Sequence, residues 1–393
     1  MADKKWTEEQ YSAIHARGGT LLVSAAAGSG KTAVLVERVV SQLLDKEHPV
    51  DADRLLVVTF SNAAAKEMRQ RIDARLGAEL AKDPYDPHLR RQRFLMERAH
   101  ISTVHSFCLD LVKRHTEQLQ IPIDFTLGDE SQLILLREEA AAEAIEQFYQ
   151  KDDDGSFSEL VELLSGGRDD KRLISTMFQL HAFIRSHPFY ADWLNEKLKM
   201  YRSNVSVRNT VWGKTILEYA KEAVAHCQHL NALCIDKMRG DEEMESAYLP
   251  AFLDDQFDLD MLMDAIENGD WDDCVFRTKN FRYTRLGSLR HYPDTVKKDF
   301  VQDRRDHMKE IIKQLASKYF NSSEKEFRED IADLRPKVEK LFQLTLCYDD
   351  ALQKIKKEKK LIDFSDLEHF ALQLFLFFRF RSSVAYYPYK PEP

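Results

Sequence analysis

Between Ala25 and Thr32 the chain reads Ala-Ala-Ala-Gly-Ser-Gly-Lys-Thr, after the apolar Leu21-Leu22-Val23 and before the helix-like run Ala33 to Val40. Small residues followed by a lysine and a hydroxyl suit a bound polyphosphate. The first N–H groups of a helix have no partner within it, and only residues with little side chain let a loop close around phosphate oxygens. Ala25, Ala26, Ala27, Gly28, Ser29 and Gly30 meet that need. In the mechanism this pattern carries, Lys31 neutralises the β- and γ-phosphates and the Thr32 hydroxyl ligates Mg²⁺. The pattern is G-x-x-x-x-G-K-[ST] with Ala25 at its first glycine. A strand before it and a helix after it are the required context, and the expectation is a nucleotide site.

The elements that would position this loop follow from the apolar patterning. The first 125 residues alternate β-branched runs with amphipathic helices, which predicts parallel βα units. The expected strands are Leu21 to Ser24, Arg54 to Phe60 and Ala99 to Val104, with Ser61-Asn62 capping a helix that starts at Ala63. From Asp129 to Lys359 helical periodicity dominates, with helices expected at 133–149, 159–164, 173–184, 215–238, 305–320 and, in one or two pieces, 323–359. Leu361 to Phe370 returns to a motif-like texture. An aromatic run and a proline-broken tail follow.

Three further segments carry candidate chemistry. Gln10, shortly before the loop, offers a donor and an acceptor that could pair with the adenine edge, although a plain surface glutamine would read the same way. Thr59-Phe60-Ser61-Asn62-Ala63 puts an aromatic and a capped helix start at the carboxyl end of a strand, where open α/β sheets bind ligands. Phe60 could stack on an unpaired base, or close the core. Thr103, His105 and Ser106 repeat the arrangement on the next strand. A catalytic His-Ser pair is rejected there, because adjacent residues on a strand-to-helix turn point apart and no acid at a suggestive spacing orients the imidazole. The run Phe276 to Tyr292 interleaves cations with aromatics, the texture of a nucleic-acid surface or of a solvated loop. His226 and His229 lack further ligand groups and read as helix surface rather than a metal site.

Bulk properties bound the setting. A chain of 393 residues with 44% hydrophobic content supports two or three domains, and a net charge of -9 gives no global attraction to nucleic acid. Five scattered cysteines without a C-x-x-C pair read as reduced thiols. The start, Met1-Ala2-Asp3-Lys4-Lys5, leads into polar sequence, and no apolar run is long enough to span a membrane, so the expected location is cytoplasmic.

With these residues together, the chain resembles the superfamily 1 DNA helicases of the UvrD type, and within them the AddA-type, RecB-like component of helicase-nuclease complexes. Gln10 matches the Q motif, Ala25 to Thr32 motif I, Thr59 to Met68 motif Ia, and Thr103 to Ser106 motif Ib. Asp363-Phe364-Ser365-Asp366-Leu367 matches the D-F-x-D-L segment that precedes motif II. The resemblance covers the chain to about Leu374 and implies an α/β fold: a RecA-like phosphate-loop (P-loop) parallel sheet (1A, incomplete) with a large all-helical inserted domain (1B). The implied boundaries are 1–125 and 359–374 for 1A, 126–358 for 1B, and 375–393 as an aberrant tail. The implied function is the ATP- and DNA-binding portion of an ATP-dependent helicase/nuclease in double-strand break repair and recombination.

By the same resemblance Gln10 would read adenine, Ala25 to Thr32 would hold ATP, Thr32 would ligate Mg²⁺, and Thr59, Phe60, Asn62, Thr103 and His105 would touch single-stranded DNA. The implied partners also include duplex DNA and an AddB-type second subunit. The chain departs from the family in having no apolar strand that ends in Asp-Glu; Asp241-Glu242 follows Lys-Met-Arg-Gly and reads as a loop. Since that glutamate positions the attacking water, the expectation is weak Mg-nucleotide binding and negligible hydrolysis by an interrupted front portion. The alternative is a non-hydrolysing decoy or partner-binding module.

Overall fold

The computed structural model describes residues 6–382 apart from 27, 49 and 166–168, with side chains to residue 376. Two compact units form, one from the residues up to Arg137 together with those from Gln353 onward, the other from Glu138–Leu352.

The first unit opens with α1 (Glu8–His15), which carries a capping box: the Thr7 hydroxyl accepts from Gln10 N and the Gln10 side chain accepts from Thr7 N. After an extended stretch comes α2 (Lys31–Leu43), whose Val36, Val39, Val40 and Leu43 turn one face into the core. Then follow β1 (Leu56–Thr59), α3 (Asn62–Lys82), α4 (Pro87–Leu95), β2 (His100–Thr103), α5 (Val104–Arg114), α6 (Thr116–Leu119), β3 (Thr126–Leu127) and α7 (Glu130–Gln150). Strands β1 and β2 pair in parallel, with Leu56 level with His100 and Thr59 level with Thr103. Met68, Ile72 and Leu76 of α3 close over Val57 and Ile101.

The second unit contains only helices among its described residues: the rest of α7, then α8 (Ser156–Ser165), α9 (Lys171–Ile184), α10 (Tyr190–Leu198), α11 (Val211–Met238), α12 (Glu242–Glu267), α13 (Trp271–Lys279), α14 (Thr295–Gln314) and most of α15 (Glu324–Glu358). Its core gathers Val224, Phe252, Leu262, Trp271, Met308 and Phe320. Asp255 of α12 and Arg305 of α14 form a bidentate pair inside it, at 2.6 and 3.0 Å, with both side chains buried. The chain returns to the first unit through β4 (Leu361–Ile362), parallel to β3, and α16 (Phe364–Ser382).

Several expectations change here. Leu21 to Ser24 form no strand, and Leu22 is 91% exposed. A strand exists only through its ladder, and no described segment pairs with these residues. The described strands make two separate two-stranded ladders, β1 with β2 and β3 with β4, instead of one parallel sheet. In the cation-aromatic run Tyr283, Leu289 and Tyr292 turn toward the protein, while Phe276, Arg282, Arg285 and Arg290 stay exposed. Asp241 caps α12 through Met244 N at 3.1 Å and binds Lys297, which makes Asp241-Glu242 the start of a helix. Helix α16 continues through residues 375–382, while 383–393 lie outside the described residues. No described helix is long and apolar enough to cross a membrane.

Candidate functional site

The loop before α2 owes its shape to two glycines. Gly28 and Gly30 take φ of +79° and +84°, the left-handed region in which a Cβ is strained. Gly30 is the residue before α2, and no side chain caps that helix, so its leading N–H groups face outward beside Lys31 and Thr32. Lys31 Nζ donates to the carbonyls of Ala25 and Ala26, the latter at 3.2 Å, which folds the ammonium over its own loop. Thr32 is exposed in the first turn. Gln10 Nε2 donates to Ser29 O at 3.2 Å, bringing the glutamine against the loop. Of the residues expected here, Gln10, Ala25, Ala26, Gly28, Ser29, Gly30, Lys31 and Thr32 converge on this loop, and Ala27 lies outside the described residues. For Mg²⁺ the protein offers one neutral donor, the Thr32 hydroxyl, and no cluster of His, Cys, Asp or Glu among the described residues. That donor set fits an ion carried mainly by the nucleotide's own phosphates.

A second locus lies at the carboxyl ends of β1 and β2, where a cavity of about 430 Å³ is lined by Phe60, Asn62, Thr103 and His105 among others. Each strand ends in a hydroxyl cap. Ser61 Oγ accepts from Ala64 N at 3.2 Å to start α3, and Thr103 Oγ1 accepts from Ser106 N at 3.2 Å to start α5. Between β1 and α3 the Phe60 ring is held away from the protein, at 109% relative exposure. Thr59 does not line the cavity; its hydroxyl donates to Ser61 O at 2.9 Å and shapes the turn.

The far wall comes from a part of the sequence that carries no obvious link to His105. His105 Nε2 lies 3.2 Å from Glu368 Oε1, and its ring is 4.9 Å from that of Phe364, both on α16. Helix α16 is set there by reciprocal caps, Asp363 N to Asp366 Oδ2 and Asp366 N to Asp363 Oδ1, both 2.9 Å, with buried Lys356 donating to both carboxylates. The sequence signal for this element is the D-x-x-D spacing within Asp363 to Asp366, which marks a helix start. An acid partner for His105 therefore exists. The Ser106 hydroxyl is nevertheless engaged 2.8 Å from Thr103 Oγ1, so the arrangement is not a nucleophile and its base.

Comparison with known proteins identifies the family. Residues 6–385 match the UvrD/REP helicase N-terminal domain. Among curated relatives, the A-type subunit of the ATP-dependent helicase/nuclease from Thermoanaerobacter sp. (strain X514) is 38% identical over 374 residues, 94% of this chain and 30% of the relative. The proteins of the same name from Geobacillus thermodenitrificans and Ruminiclostridium cellulolyticum are 36% and 32% identical, each over 378 residues, 95% of this chain and 30% of the relative. The chain thus spans about 30% of the length of these relatives.

Proposed function

The chain belongs to the UvrD/REP helicase family, and from that premise we propose that it is the ATP- and single-strand-binding portion of an ATP-dependent DNA helicase/nuclease. Lys31 and the leading N–H groups of α2 hold the triphosphate, Gln10 reads adenine, and Thr32 with the phosphates holds Mg²⁺. When bound, that ion neutralises phosphate charge. Phe60, Asn62, Thr103 and His105 take the unpaired strand, with Phe60 stacking on a base and the heads of α3 and α5 facing phosphates. Residues 1–125 and 359–374 constitute the RecA-like 1A domain and residues 126–358 the helical 1B insertion, which engages duplex DNA. The relatives are named as one subunit of a helicase/nuclease, which supports a partner subunit; the resemblance makes that partner AddB-type and the role double-strand break repair.

One observation carries this reading: two stretches far apart in sequence deliver Phe60, Asn62, Thr103 and His105 to one cavity at the strand ends. Direct binding tests it. The chain should bind ATP and oligothymidylate, and K31A should weaken ATP binding while leaving oligothymidylate binding unchanged. Failure of the wild-type chain to bind either ligand would refute the proposal.

A further inference from the structure

Helix α1 has eight residues, too few to hold together without tertiary support. Its support is concentrated at its carboxyl end, where the last carbonyls have no intrahelical partner. Arg38 Nη1 donates to Ala13 O at 2.6 Å and to Ala16 O at 2.7 Å. Arg17 donates to Ile14 O at 2.8 Å and reaches Ser41 Oγ at 3.0 Å. Arg38 and Ser41 both lie on α2, so α1 is fastened to the helix whose head forms the phosphate loop. A guanidinium set on the negative end of a helix dipole adds attraction to the hydrogen bonds.

The other end of α1 carries Gln10. Arg38 follows Lys31 by about two turns of α2, roughly 10 Å along the axis, while Gln10 touches Ser29 O at the loop itself. The helix is thus held at two points, a charged clamp at one end and the glutamine at the other. The Gln10 amide keeps unused capacity. Its Oε1 accepts from Thr7 N and its Nε2 donates to Ser29 O, and an amide can accept and donate once more through each. A donor and acceptor side by side match adenine's N6–H and N7, whereas guanine presents two acceptors, O6 and N7, on that edge.

We propose that Arg38 is the positioning residue that holds Gln10 in register with the phosphate loop, so that base selection depends on a clamp remote from the base. The inference rests on the nucleotide-binding reading above. Arg38 acts through α1, whose carbonyls it binds, and not on the nucleotide itself.

The test is competition by ATP, GTP and inorganic tripolyphosphate against a fluorescent ATP analogue bound to the full chain. Wild type should favour ATP over GTP. In R38M that preference should shrink roughly tenfold, equivalent to about 1.4 kcal/mol, with tripolyphosphate binding unchanged. R38K, which keeps the charge and one bond, should retain part of the preference. Q10A should lose the preference as R38M does, and Q10A/R38M should lose no more than either, since the two act in series. An unchanged ATP-to-GTP ratio in R38M overturns the inference, as does equal loss of tripolyphosphate and ATP, which marks a general structural role. If R38M fails to fold, the R38K ratio decides: a ratio equal to wild type's overturns the inference. A wild-type chain that binds neither ATP nor tripolyphosphate removes the nucleotide reading and this inference together.

Discussion

Replacing Phe60 by alanine separates folding from function at this site. The ring is fully exposed, so its removal returns no apolar surface to water, and at about 25 cal/mol per Å² of buried area the folding term is close to zero. An exposed substitution of that kind moves stability by less than about 0.5 kcal/mol. Stacking on an unpaired base is worth about 1–3 kcal/mol, so F60A should weaken oligothymidylate binding by roughly 5- to 150-fold. Fluorescence anisotropy of a labelled oligothymidylate, at one fixed salt concentration because phosphate contacts are salt-dependent, gives the affinity. A thermal melt of the same preparation gives the stability. F364A is the companion: that ring is partly covered and lies against His105, so its loss should cost some stability and less affinity than F60A. Wild-type affinity in F60A, or an affinity loss matched by a fall in melting temperature, would refute the stacking role.

Four further outcomes are expected. Phosphate release from ATP should stay at background even with DNA present, because no Asp-Glu among the described residues closes a strand; a DNA-stimulated release abolished by K31A would show that the water-positioning group is supplied some other way. R305M should destabilise the helical unit by about 3–5 kcal/mol in urea denaturation by leaving the Asp255 carboxylate buried and unpaired, and R305M/D255L should recover most of that loss. At Asp349, burial pushes the carboxyl up, but bonds from His181 and Tyr190 and the nearby Arg185 charge outweigh it and hold the group well below the usual carboxylate range. The unfolded chain therefore binds the proton first, so stability is intact above about pH 4 and falls as pH drops further, a slope that D349N should flatten. T103V should cost about 1 kcal/mol of stability through loss of the α5 cap, and T103S should restore it; equal melts for the two would show that the hydroxyl is not the stabilising group.

What can be read in the sequence is local. Ser61 before a helical run announces its own cap, and the Gly-Ser-Gly-Lys-Thr loop announces positive φ and a helix head; both depend on neighbours a few residues away. Leu21 to Ser24 do not become a strand because pairing is a property of the partner, and an apolar run alone cannot say whether one lies beside it. Helix α12 is absent from the helices expected from periodicity, although Met244, Tyr248, Phe252, Leu259, Leu262 and Ile266 keep a buried stripe on both sides of Pro250. The run from Phe276 stays ambiguous in the sequence for a different reason. Its composition suits a nucleic-acid surface or a solvated loop, and composition carries no information about which rings turn inward: Tyr283 and Tyr292 do, Phe276 does not. The relation of Phe364 and Glu368 to His105 is invisible in the sequence because only the return of the chain through β4 creates it.

The site rests on register more than on any single side chain. Because Thr59 is level with Thr103, the two strands stop at the same edge, and whatever follows each must share it. After β2 the helix begins at once, so His105 sits in the first turn of α5; after β1 two residues intervene, and that extra length carries Phe60 clear of the protein. Each helix is started by its own hydroxyl, which leaves the remaining leading N–H groups, and the positive ends of both dipoles, directed to the common edge. An unpaired strand offers two things to bind, an anionic backbone and flat bases. On the proposed function the edge would meet each, helix heads for the one and the Phe60 ring for the other, and none of it requires a long sheet. Four-residue strands suffice because the information they transmit is a single alignment.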